Sequence, residues 1–414
     1  MPLGQDRREF LGRTGAAAVG LLAAGYTATA HGYAANETLN VGCIGTGGRT
    51  RMLMEALAGV AGVRMTAVCD IWDQNLAEGK KRAAPGAATT KDFRALLDRK
   101  DVDAVIIGSP DHWHVPMTVA ACAAGKDVYV EKPLTHNLAE GAAVVDAQNK
   151  HQRIVQVGTQ QRSMPQFQKA YDIVRGGGIG HVYKVHLSWN RNVPRWNRNP
   201  SGVKLSPAEW KQFLGNAKDQ PFDDYRYRQW RWFWDFGGGL FTDLMVHYID
   251  VVHWILGLDH PATAASIGDN FATENLWETP DTVQTLLRYP DAKTQVYFES
   301  TYMNARNNNM IEMMGSEATL YLDRGRYEIY PERKSKVKAE AMILGEGPKG
   351  KDFYDKPHGE RLHLANWVEC VRSRKKPNCP AEAGVSAAAA AHLANQSYRT
   401  GQVAHWKDIA AQQG

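Results

Sequence analysis

Short apolar runs alternate with helical patterns in the first part of the chain, after its N-terminal segment. Strand-like apolar runs occupy Leu39–Ile44, Arg64–Cys69, Ala104–Ile107, Asp127–Val130 and Ile154–Val157. Between them, apolar residues recur at the spacing of one helix face in Arg49–Ala61, Lys91–Asp98, Val115–Ala124 and Leu138–Asn149. Regular alternation of strand and helix predicts a parallel sheet that is covered by helices on both faces.

The pattern changes after Gly158 and becomes typical of antiparallel strands with one solvated face. Such alternation is found in Tyr183–Asn190, Thr282–Tyr289, Lys293–Glu299, Asn309–Met314 and Ala318–Asp323. Leu240–Leu256 is predicted to be a helix, and residues 331–358 are predicted to be a solvated loop. We therefore predict an α/β protein with two domains: a doubly wound domain over residues 36–158 and an α+β domain with an open, mainly antiparallel sheet over residues 159–414.

The composition of the chain argues against a nucleic-acid-binding protein, a disulfide-rich protein and a zinc protein. The chain has 414 residues, 43% of them hydrophobic and 22% charged, which is ordinary for a globular protein of two domains. Its formal net charge of +5 is small and dispersed, which argues against nucleic-acid binding. Five cysteines without C-x-x-C spacing predict neither a disulfide framework nor a zinc site, and Cys43 and Cys69 lie in predicted strands.

The first 35 residues are predicted to be an export signal rather than part of the fold. The segment contains paired arginines, a small-residue apolar run and an A-x-A cleavage site, at Arg7-Arg8, Gly15–Gly25 and Ala28–Ala30. This order resembles a twin-arginine signal, which directs an already folded protein to the periplasm; it is also compatible with a Sec signal or an uncleaved anchor. The run is too short to span a bilayer comfortably, so no stable membrane span is predicted.

A glycine-rich turn connects the first predicted strand to the first helix, with the sequence Gly45-Thr46-Gly47-Gly48-Arg49-Thr50. A dinucleotide needs glycine here, because the backbone turns tightly and its N–H groups meet the pyrophosphate. Thr50 stands at the third glycine position, so helix–strand packing must accommodate a side chain. Asp70 ends the second strand, where a carboxylate binds an adenosine ribose and repels a 2′-phosphate, which favours NAD over NADP. An ordinary turn and a loop-starting aspartate would account for the same residues without a cofactor.

Two more polar segments follow predicted strands at the same edge of the sheet. Ser109–His114 follows the third strand and Glu131-Lys132-Pro133 follows the fourth. Doubly wound sheets bind ligands at this carboxyl edge. A lysine there can hydrogen-bond a substrate hydroxyl and stabilise the developing alkoxide charge, although a lone lysine is more often a solvated surface residue.

These residues, above all Glu131-Lys132-Pro133, resemble the Gfo/Idh/MocA family, which includes glucose–fructose oxidoreductase and inositol dehydrogenase. The resemblance extends from Leu39 to about Trp406. It implies a Rossmann domain that binds NAD, a catalytic role for Lys132, and an open sheet often used in oligomerisation. The candidate cofactor-binding residues are then Gly45, Thr46, Gly47, Gly48, Arg49, Asp70, Ser109, Pro110, His114, Glu131, Lys132 and Gln160.

Asp243 and His247 lie four residues apart on the predicted helix that follows a glycine triplet, so they share one helix face. A histidine can take a hydroxyl proton as hydride leaves carbon, and a carboxylate can orient the substrate. The pair resembles the family's Asp-x-x-x-His motif, which implies catalytic and substrate-binding roles for both residues. Arg162 is a further candidate substrate contact. We find no third ligand with the spacing of a metal site and predict no metal.

Residues 191–235, here called the aromatic insertion, contain Trp196, Trp210, Trp230, Trp232 and Trp234. These tryptophans either wall a sugar pocket, with Arg191, Asn192 and Arg195 as hydrogen-bond donors, or pack the junction between the domains.

The sequence thus predicts an exported oxidoreductase that acts on a sugar or glycoside hydroxyl. Since free NAD is scarce outside the cytosol, we expect the cofactor to be tightly bound and recycled in place. Recycling can proceed by exchange between two substrates, or by a redox-neutral cycle in which transient oxidation at C3 allows glycoside cleavage or epimerisation. Two rival functions stay open: a non-catalytic sugar-binding protein and a dehydrogenase of a non-sugar ring. The expected partners are the twin-arginine machinery and a second copy of the chain, as a dimer or tetramer.

Overall fold

The computed structural model describes residues 38–192, 202–344 and 359–410. The predicted export signal, Arg195 and Trp196 lie outside the described residues. Within these three ranges, no helix combines the length and the apolar character that crossing a bilayer requires.

The first sheet has six parallel strands in the order β3-β2-β1-β4-β5-β6. Its strands are β1 (Leu39–Ile44), β2 (Val63–Cys69), β3 (Ala88–Thr90), β4 (Ala104–Ile107), β5 (Asp127–Val130) and β6 (Val155–Val157). The helices between them are α1 (Gly48–Ala58), α2 (Asp73–Arg82), α3 (Phe93–Leu97), α4 (His114–Ala123) and α5 (Glu140–His151). The order reverses between β1 and β4, and this switch point opens a crevice at the carboxyl edge. The sequence pattern missed β3 and α2.

The second sheet has nine strands in the order β14-β13-β12-β11-β7-β10-β9-β8-β15, antiparallel except where β7 and β10 pair in parallel. Its strands are β7 (Val182–Trp189), β8 (Thr263–Asp269), β9 (Thr282–Tyr289), β10 (Thr294–Thr301), β11 (Asn309–Gly315), β12 (Ala318–Leu322), β13 (Arg326–Pro331), β14 (Glu340–Ile343) and β15 (Ala404–His405). The fold class predicted from the sequence is confirmed. The prediction of a loop over residues 331–358 was wrong at β14, a mostly exposed edge strand with a weak apolar pattern.

Helices pack on one face of the second sheet. The helices that follow β6 are α6 (Pro165–Arg175), α7 (Pro207–Leu214), α8 (Asp224–Arg228), α9 (Val246–Leu256), α10 (Gly359–Ser373), α11 (Ala381–Thr400) and α12 (Trp406–Ala410). The inward residues of the sheet, among them Val185, Leu287 and Val296, pack with α6, α9 and α11 in one large core. The other face carries exposed apolar side chains, including Ile267, which is 77% exposed, and Leu286, which is 54% exposed.

Helix α10 does not belong to that core, although it comes late in the chain. Its Leu364, Trp367 and Val371 pack with Leu53 and Leu57 of α1, and so cover one face of the first sheet. The His363 ring lies 2.9 Å from the carbonyl oxygen of Val157, which ties the helix to β6. The first sheet is therefore completed by residues 359–373, which lie within the predicted range of the second domain.

All five cysteines are buried and unbonded to one another. Cys43 and Cys69 lie in β1 and β2, as predicted, and burial raises the pKa of the Cys43 thiol to about 12. The cysteines thus behave as small apolar core residues.

Candidate active site

The glycine-rich turn after β1 is shaped by backbone contacts that exclude side chains. Gly45 has a φ of +74°, and a Cβ there would lie 2.8 Å from the backbone nitrogen of Ser109. A left-handed backbone and this close approach both require glycine. At Gly48, in contrast, a Cβ would meet nothing within 4 Å. The turn is therefore closed toward β4 and open in front of α1.

Thr50 is accommodated by a second glycine. Its hydroxyl donates a hydrogen bond to the carbonyl oxygen of Gly45 at 2.6 Å. It fills the space that a Cβ on Gly108, at the end of β4, would occupy. The threonine thus replaces the usual third glycine without displacing the helix from the sheet.

Asp70 lies at the end of β2 beside this turn. Its carboxylate accepts a hydrogen bond from the backbone N–H of Trp72 at 2.9 Å, and the Thr46 hydroxyl lies 3.5 Å from it. The same hydroxyl donates to the carbonyl oxygen of Asn75 at 2.9 Å, which fixes the turn against α2. Burial raises the pKa of Asp70 to about 6, against the opposing effect of these hydrogen bonds.

A cleft of about 370 Å³ opens in front of the turn. On the side of the first sheet it is lined by Gly45, Gly47, Gly48, Asp70, Ser109 and Pro110. On the opposite side it is lined by the aromatic insertion, through Gln212, Phe213, Tyr227, Arg228, Trp230 and Arg231. The cleft is thus enclosed by segments from both halves of the chain.

The aromatic insertion is fastened to the first domain by direct hydrogen bonds. The indole N–H of Trp113 donates to the carbonyl oxygen of Phe213 at 2.8 Å, and the His112 ring lies 2.8 Å from the same oxygen. On the other side of the cleft, the Gln212 amide donates to the carbonyl oxygen of Lys91 at 2.6 Å. The polar segment after β4 therefore docks the insertion over the cleft.

Lys132 and Asp243 meet at the junction of the domains. The Lys132 ammonium donates to the Asp243 backbone carbonyl at 2.6 Å and to its carboxylate at 2.9 Å. Arg231 approaches the same carboxylate oxygen at 3.2 Å. Burial alone would raise the pKa of Asp243, but the charges of Lys132 and Arg231 outweigh it and hold the pKa below its ordinary range.

The backbone that carries Asp243 is a single π-helical turn, Phe241–Met245, which leads directly into α9. Gly239, just before it, has a φ of +65°, and a Cβ there would clash with Thr279. Such π turns are rare and often occur at functional sites. The turn presents the Asp243 carbonyl and carboxylate to the same lysine.

His247 follows the π turn and is buried. Its Nδ1 has no hydrogen-bond partner within the described part of the chain, and its ring centroid lies 5.2 Å from that of Trp189. Burial, and then the positive charges of Lys132 and Arg324, lower the pKa of His247 well below its ordinary value. The imidazole is therefore neutral at pH 7.

Comparison with known proteins agrees with this architecture. The profile described as "Oxidoreductase family, NAD-binding Rossmann fold" (GFO/IDH/MocA) matches residues 39–159, and the profile of the family's C-terminal alpha/beta domain matches residues 172–405. The chain belongs to the Gfo/Idh/MocA oxidoreductase family.

Individual relatives of this Gfo/Idh/MocA chain are distant. An uncharacterised oxidoreductase of Bacillus subtilis, YrbE, is 24% identical over 334 residues, which are 78% of this chain and 84% of that protein. Inositol 2-dehydrogenase of Salmonella typhimurium is 29% identical over 226 residues, 54% of this chain and only 56% of that enzyme. The solved structure of levoglucosan dehydrogenase with NADH and levoglucosan has a TM-score of 0.68 at 17% identity, covering 89% of this chain and 99% of that one, and shows the shared fold.

The described residues fit the dinucleotide that a Gfo/Idh/MocA Rossmann domain binds. The space in front of Gly48 is free, Gly47 precedes α1 without a capping side chain, and the N–H groups of this helix start are suited to a pyrophosphate. Asp70, which the sequence predicts to bind the ribose, lines this cleft together with Ser109 and Pro110. Within the described ranges, no three His, Cys, Asp or Glu side chains come together as metal ligands.

Arg49 and Glu131, both predicted to contact the cofactor, form an ion pair with each other. The Arg49 guanidinium lies 2.8 Å from Glu131 and 2.8 Å from Glu360 of α10. Glu131 also packs against Gly158, where a Cβ would lie 2.8 Å from its carboxylate. Arg49 still lines the cleft, but Glu131 serves mainly to join the ends of β5 and β6 to α1.

His114 and Gln160 are buried beside the site. The two ring nitrogens of His114 lie 2.6 Å from the carbonyl oxygen of Pro133 and 2.9 Å from that of Ser109. Burial lowers the pKa of His114 to about 4, against the opposing effect of the two carbonyl oxygens, and the neutral ring donates to only one of them while it packs between the segment that carries Lys132 and the end of β4. Gln160 starts a 3-10 turn after β6, and its Oε1 finds no partner within the described ranges.

Arg162 does not join the substrate candidates. Its guanidinium forms two hydrogen bonds of 2.8 Å with Asp250 of α9 and one of 3.2 Å with the carbonyl oxygen of Asn378. A bidentate pair buried this deeply fixes the junction of the domains. The interpretation of Arg162 as a substrate contact is corrected accordingly.

The two interpretations of the tryptophans apply to different residues. Trp232 is fully buried and stacks on Trp277 with centroids 4.1 Å apart, and Trp210 stacks on Phe213 at 5.1 Å. Trp230 lines the cleft instead, with the Arg231 guanidinium 4.2 Å from its ring centroid. These tryptophans therefore divide between packing within the second domain and facing the site.

Several site residues were missed from the sequence. Trp72 and Asn75 line the cleft just after Asp70, and their position at a strand end was an available signal. Arg231 carried no signal beyond its place among tryptophans. Asp111, buried after β4, interacts electrostatically with Lys132, and burial raises its pKa well above the ordinary value.

Proposed function

We propose that this chain is an exported dehydrogenase that oxidises a hydroxyl-bearing carbon of a sugar or glycoside, with NAD retained in the cleft. The observation that carries the proposal is the convergence of Lys132, Asp243 and His247 beside a cleft that suits a dinucleotide. The glycine turn would hold the pyrophosphate, and Asp70 the adenosine ribose. When bound, the nicotinamide supplies the acceptor for a hydride.

Lys132 is suited to stabilise negative charge on the substrate oxygen. An ammonium group has three N–H donors, and Asp243 accepts from two of them, at its carbonyl and its carboxylate. The third N–H is available to donate a hydrogen bond to the oxygen of a substrate hydroxyl as that hydroxyl loses its proton. A preorganised donor of this kind in a water-poor site contributes strongly to catalysis. Asp243 sets the direction of that donor.

His247 is suited to accept the hydroxyl proton. Its imidazole is neutral because burial and neighbouring cations oppose protonation. The carboxylate of Asp243 opposes this effect and favours the protonated ring. Transfer of the proton from the hydroxyl to His247 and departure of hydride from the same carbon together leave a neutral carbonyl product.

Retention of the cofactor is supported by the docked aromatic insertion. A dinucleotide in the cleft would contact the insertion on the side away from the sheet, so its release rate should depend on how firmly the insertion is docked. Trp113→Phe keeps the aromatic ring but removes the N–H donated to Phe213, and should speed dinucleotide release about five- to tenfold. Lys218→Ala, at an exposed position of the insertion, is the control. Equal release rates in all three proteins would reject this account of retention.

The main experiment uses the purified mature protein without added cofactor. Denaturation should liberate about one nicotinamide dinucleotide per chain, and a glycoside panel should then be assayed by two readouts, nicotinamide reduction and aglycone release. Reduction supports the dehydrogenase. Aglycone release without net reduction would indicate the redox-neutral glycosidase instead. Lys132→Ala and His247→Ala should lose turnover but keep the dinucleotide; full activity in either variant would refute the role given to that residue.

We further propose a homo-oligomer that forms through the solvated face of the nine-stranded sheet. Exposed apolar residues there include Ile267 and Leu286. Exposed apolar side chains that are surrounded by polar residues are a feature of surfaces that contact other proteins. Ile267→Asp should lower the mass measured by light scattering, whereas a monomeric parent chain would exclude the proposal.

Export to the periplasm by the twin-arginine route is the last part of the proposal. It is supported by Arg7-Arg8 and the A-x-A site, and by five buried cysteines without a disulfide, as expected for a protein that folds in the cytosol. Replacing both arginines by lysine should retain the protein in the cytosol on cell fractionation. Unchanged export would point to another route.

A further inference from the structure

Trp189, at the end of β7, is the centre of a cluster of cations beside His247. The indole is buried and its ring centroid lies 5.2 Å from that of the His247 imidazole. The Arg324 guanidinium lies 4.5 Å from the same ring, and that of Arg191 lies 5.3 Å from it. Both arginines therefore stand in the immediate surroundings of the proposed proton acceptor.

The charges around the Asp243 carboxylate are unbalanced. Lys132 and Arg231 are both paired with this carboxylate, and the positive charge of Arg191 acts on it as well. Arg191 forms no ion pair of its own with any residue that the structure describes. Three cations thus act on the Asp243 carboxylate beside His247; the neighbouring acid Asp111 also interacts with Lys132 and Arg231, but its burial favours the neutral carboxyl.

Excess positive charge in a half-buried site is costly unless an anion compensates for it. The pyrophosphate would lie at the glycine turn and next to α1, whereas Arg191 lies beyond the end of β7 on the second sheet. We propose that the substrate is an acidic sugar, whose carboxylate or sulfate group is bound by Arg191 beside Trp189. This inference rests on the proposed function and specifies its substrate class.

Guanidinium groups recognise planar carboxylates and tetrahedral sulfates through paired N–H donors. The indole of Trp189 holds the Arg191 guanidinium while leaving its N–H groups at the edge available for the acid group. The sugar ring then lies between this anion site and His247. Its acid group orients the ring, so that one hydroxyl faces Lys132 and His247.

Binding of four ligands to the purified protein tests the proposal independently of turnover. Isothermal titration calorimetry at fixed ionic strength would compare glucuronate, its neutral amide glucuronamide, glucose and a sulfated glucose. We expect glucuronate or the sulfated sugar to bind about 10- to 100-fold more tightly than the neutral ligands. A preference for only one of the two acids identifies which acid group the site takes.

Arg191→Gln should remove most of this preference and leave the affinity for glucuronamide and the bound dinucleotide unchanged. Arg306→Gln makes the same charge change at an exposed position between β10 and β11 and should alter nothing. In the parent protein, binding of the acidic sugar should also weaken as salt is raised, which tests the charge dependence without a variant.

Equal affinities for acidic and neutral ligands would overturn the inference, and so would loss of the dinucleotide in Arg191→Gln, since the arginine would then serve the cofactor. These outcomes are separable from failure of the proposed function. Tight binding of glucuronate without nicotinamide reduction by any sugar would reject the dehydrogenase and keep the acid site. Oxidation of glucose without a preference for acidic ligands would keep the dehydrogenase and reject the acid site.

Discussion

The Lys132 ammonium contacts both the backbone carbonyl and the carboxylate of Asp243, at 2.6 Å and 2.9 Å. The lysine follows β5 of the first sheet, and the aspartate lies in the π turn before α9. Their contact joins the two halves of the site in a single ion pair. The position of the lysine therefore depends on the second domain as much as on its own strand.

Asp243→Asn tests this dependence. The amide retains the size of the carboxylate but loses its charge, so one of the two bonds that direct Lys132 weakens. We expect kcat to fall about 100-fold while the amount of bound dinucleotide stays the same. Asp269→Asn, at an exposed position, is the control. An unchanged kcat would show that Asp243 does not position the lysine.

Two glycine variants should separate folding from cofactor binding. Gly45→Ala forces a Cβ against the Ser109 backbone at a positive φ, so we expect a loss of about 1–3 kcal/mol in the free energy of unfolding together with loss of the dinucleotide. Gly48→Ala meets no protein atom within 4 Å, so stability should hold while dinucleotide affinity falls. Thermal denaturation measures the stability of the two variants, and the dinucleotide content of the purified proteins measures cofactor binding. Full occupancy in Gly48→Ala would place the pyrophosphate elsewhere.

The preference for NAD over NADP should depend on pH. Burial raises the pKa of Asp70 to about 6, so the carboxylate is charged above that pH and repels a 2′-phosphate. Below it, the protonated form no longer does so, and the ratio of the NADP to the NAD dissociation constant should fall. Titrating apoprotein with both dinucleotides at about pH 5 and about pH 8 measures this ratio. Asp70→Ser should reduce this pH dependence to the part that comes from the 2′-phosphate itself, whose second pKa is about 6; a parent protein with the same pH dependence as Asp70→Ser would exclude Asp70 from the ribose site.

Acid should destabilise the protein through its buried histidines. Burial lowers the pKa of His112, His253 and His392 to about 3, and that of His114 and His363 to about 4. Unfolded histidine has a pKa of about 6.5, so between about pH 6.5 and pH 4 the unfolded chain binds protons that the folded chain does not. Stability therefore falls as pH falls, by up to about 1.4 kcal/mol per pH unit for each histidine.

Guanidinium denaturation at several pH values between these limits would measure that slope. His253→Gln can keep a hydrogen bond to Ser386 or Tyr289 but removes one titrating group. The plot of its unfolding free energy against pH should be shallower than the parent's by about one proton, whatever the stability of the variant at pH 7. A parallel slope in the two proteins would contradict the assignment of His253 as a buried neutral ring.

Much of the fold could be predicted because it follows from local patterns. Strand–helix alternation up to residue 158 and apolar–polar alternation beyond it are properties of neighbouring residues, and the structure confirms the fold class that they predict. The placement of Lys132 and Asp70 at one edge of the first sheet could be predicted because parallel strands all end at the same edge. The edge of the sheet at which the cleft opens can therefore be predicted from local sequence patterns alone.

The rest depends on pairings between distant residues. The sequence around Arg49 does not indicate that its guanidinium pairs with Glu360, 311 positions later. The sequence around Arg162 likewise does not indicate that its guanidinium pairs with Asp250, 88 positions later. Both arginines looked available because their carboxylates belong to other elements. The docking of Phe213 on Trp113 could not be predicted either, because a backbone carbonyl has no sequence signature.

Helix α10 has a consequence for synthesis on the ribosome. The first sheet emerges early, yet one of its faces stays bare until Leu364, Trp367 and Val371 have been translated. A nascent chain would carry an unfinished nucleotide domain through most of its elongation. Truncation before residue 359 should therefore leave a protein that exposes the apolar face of α1 and is recognised by chaperones, even though every residue of the glycine turn is present.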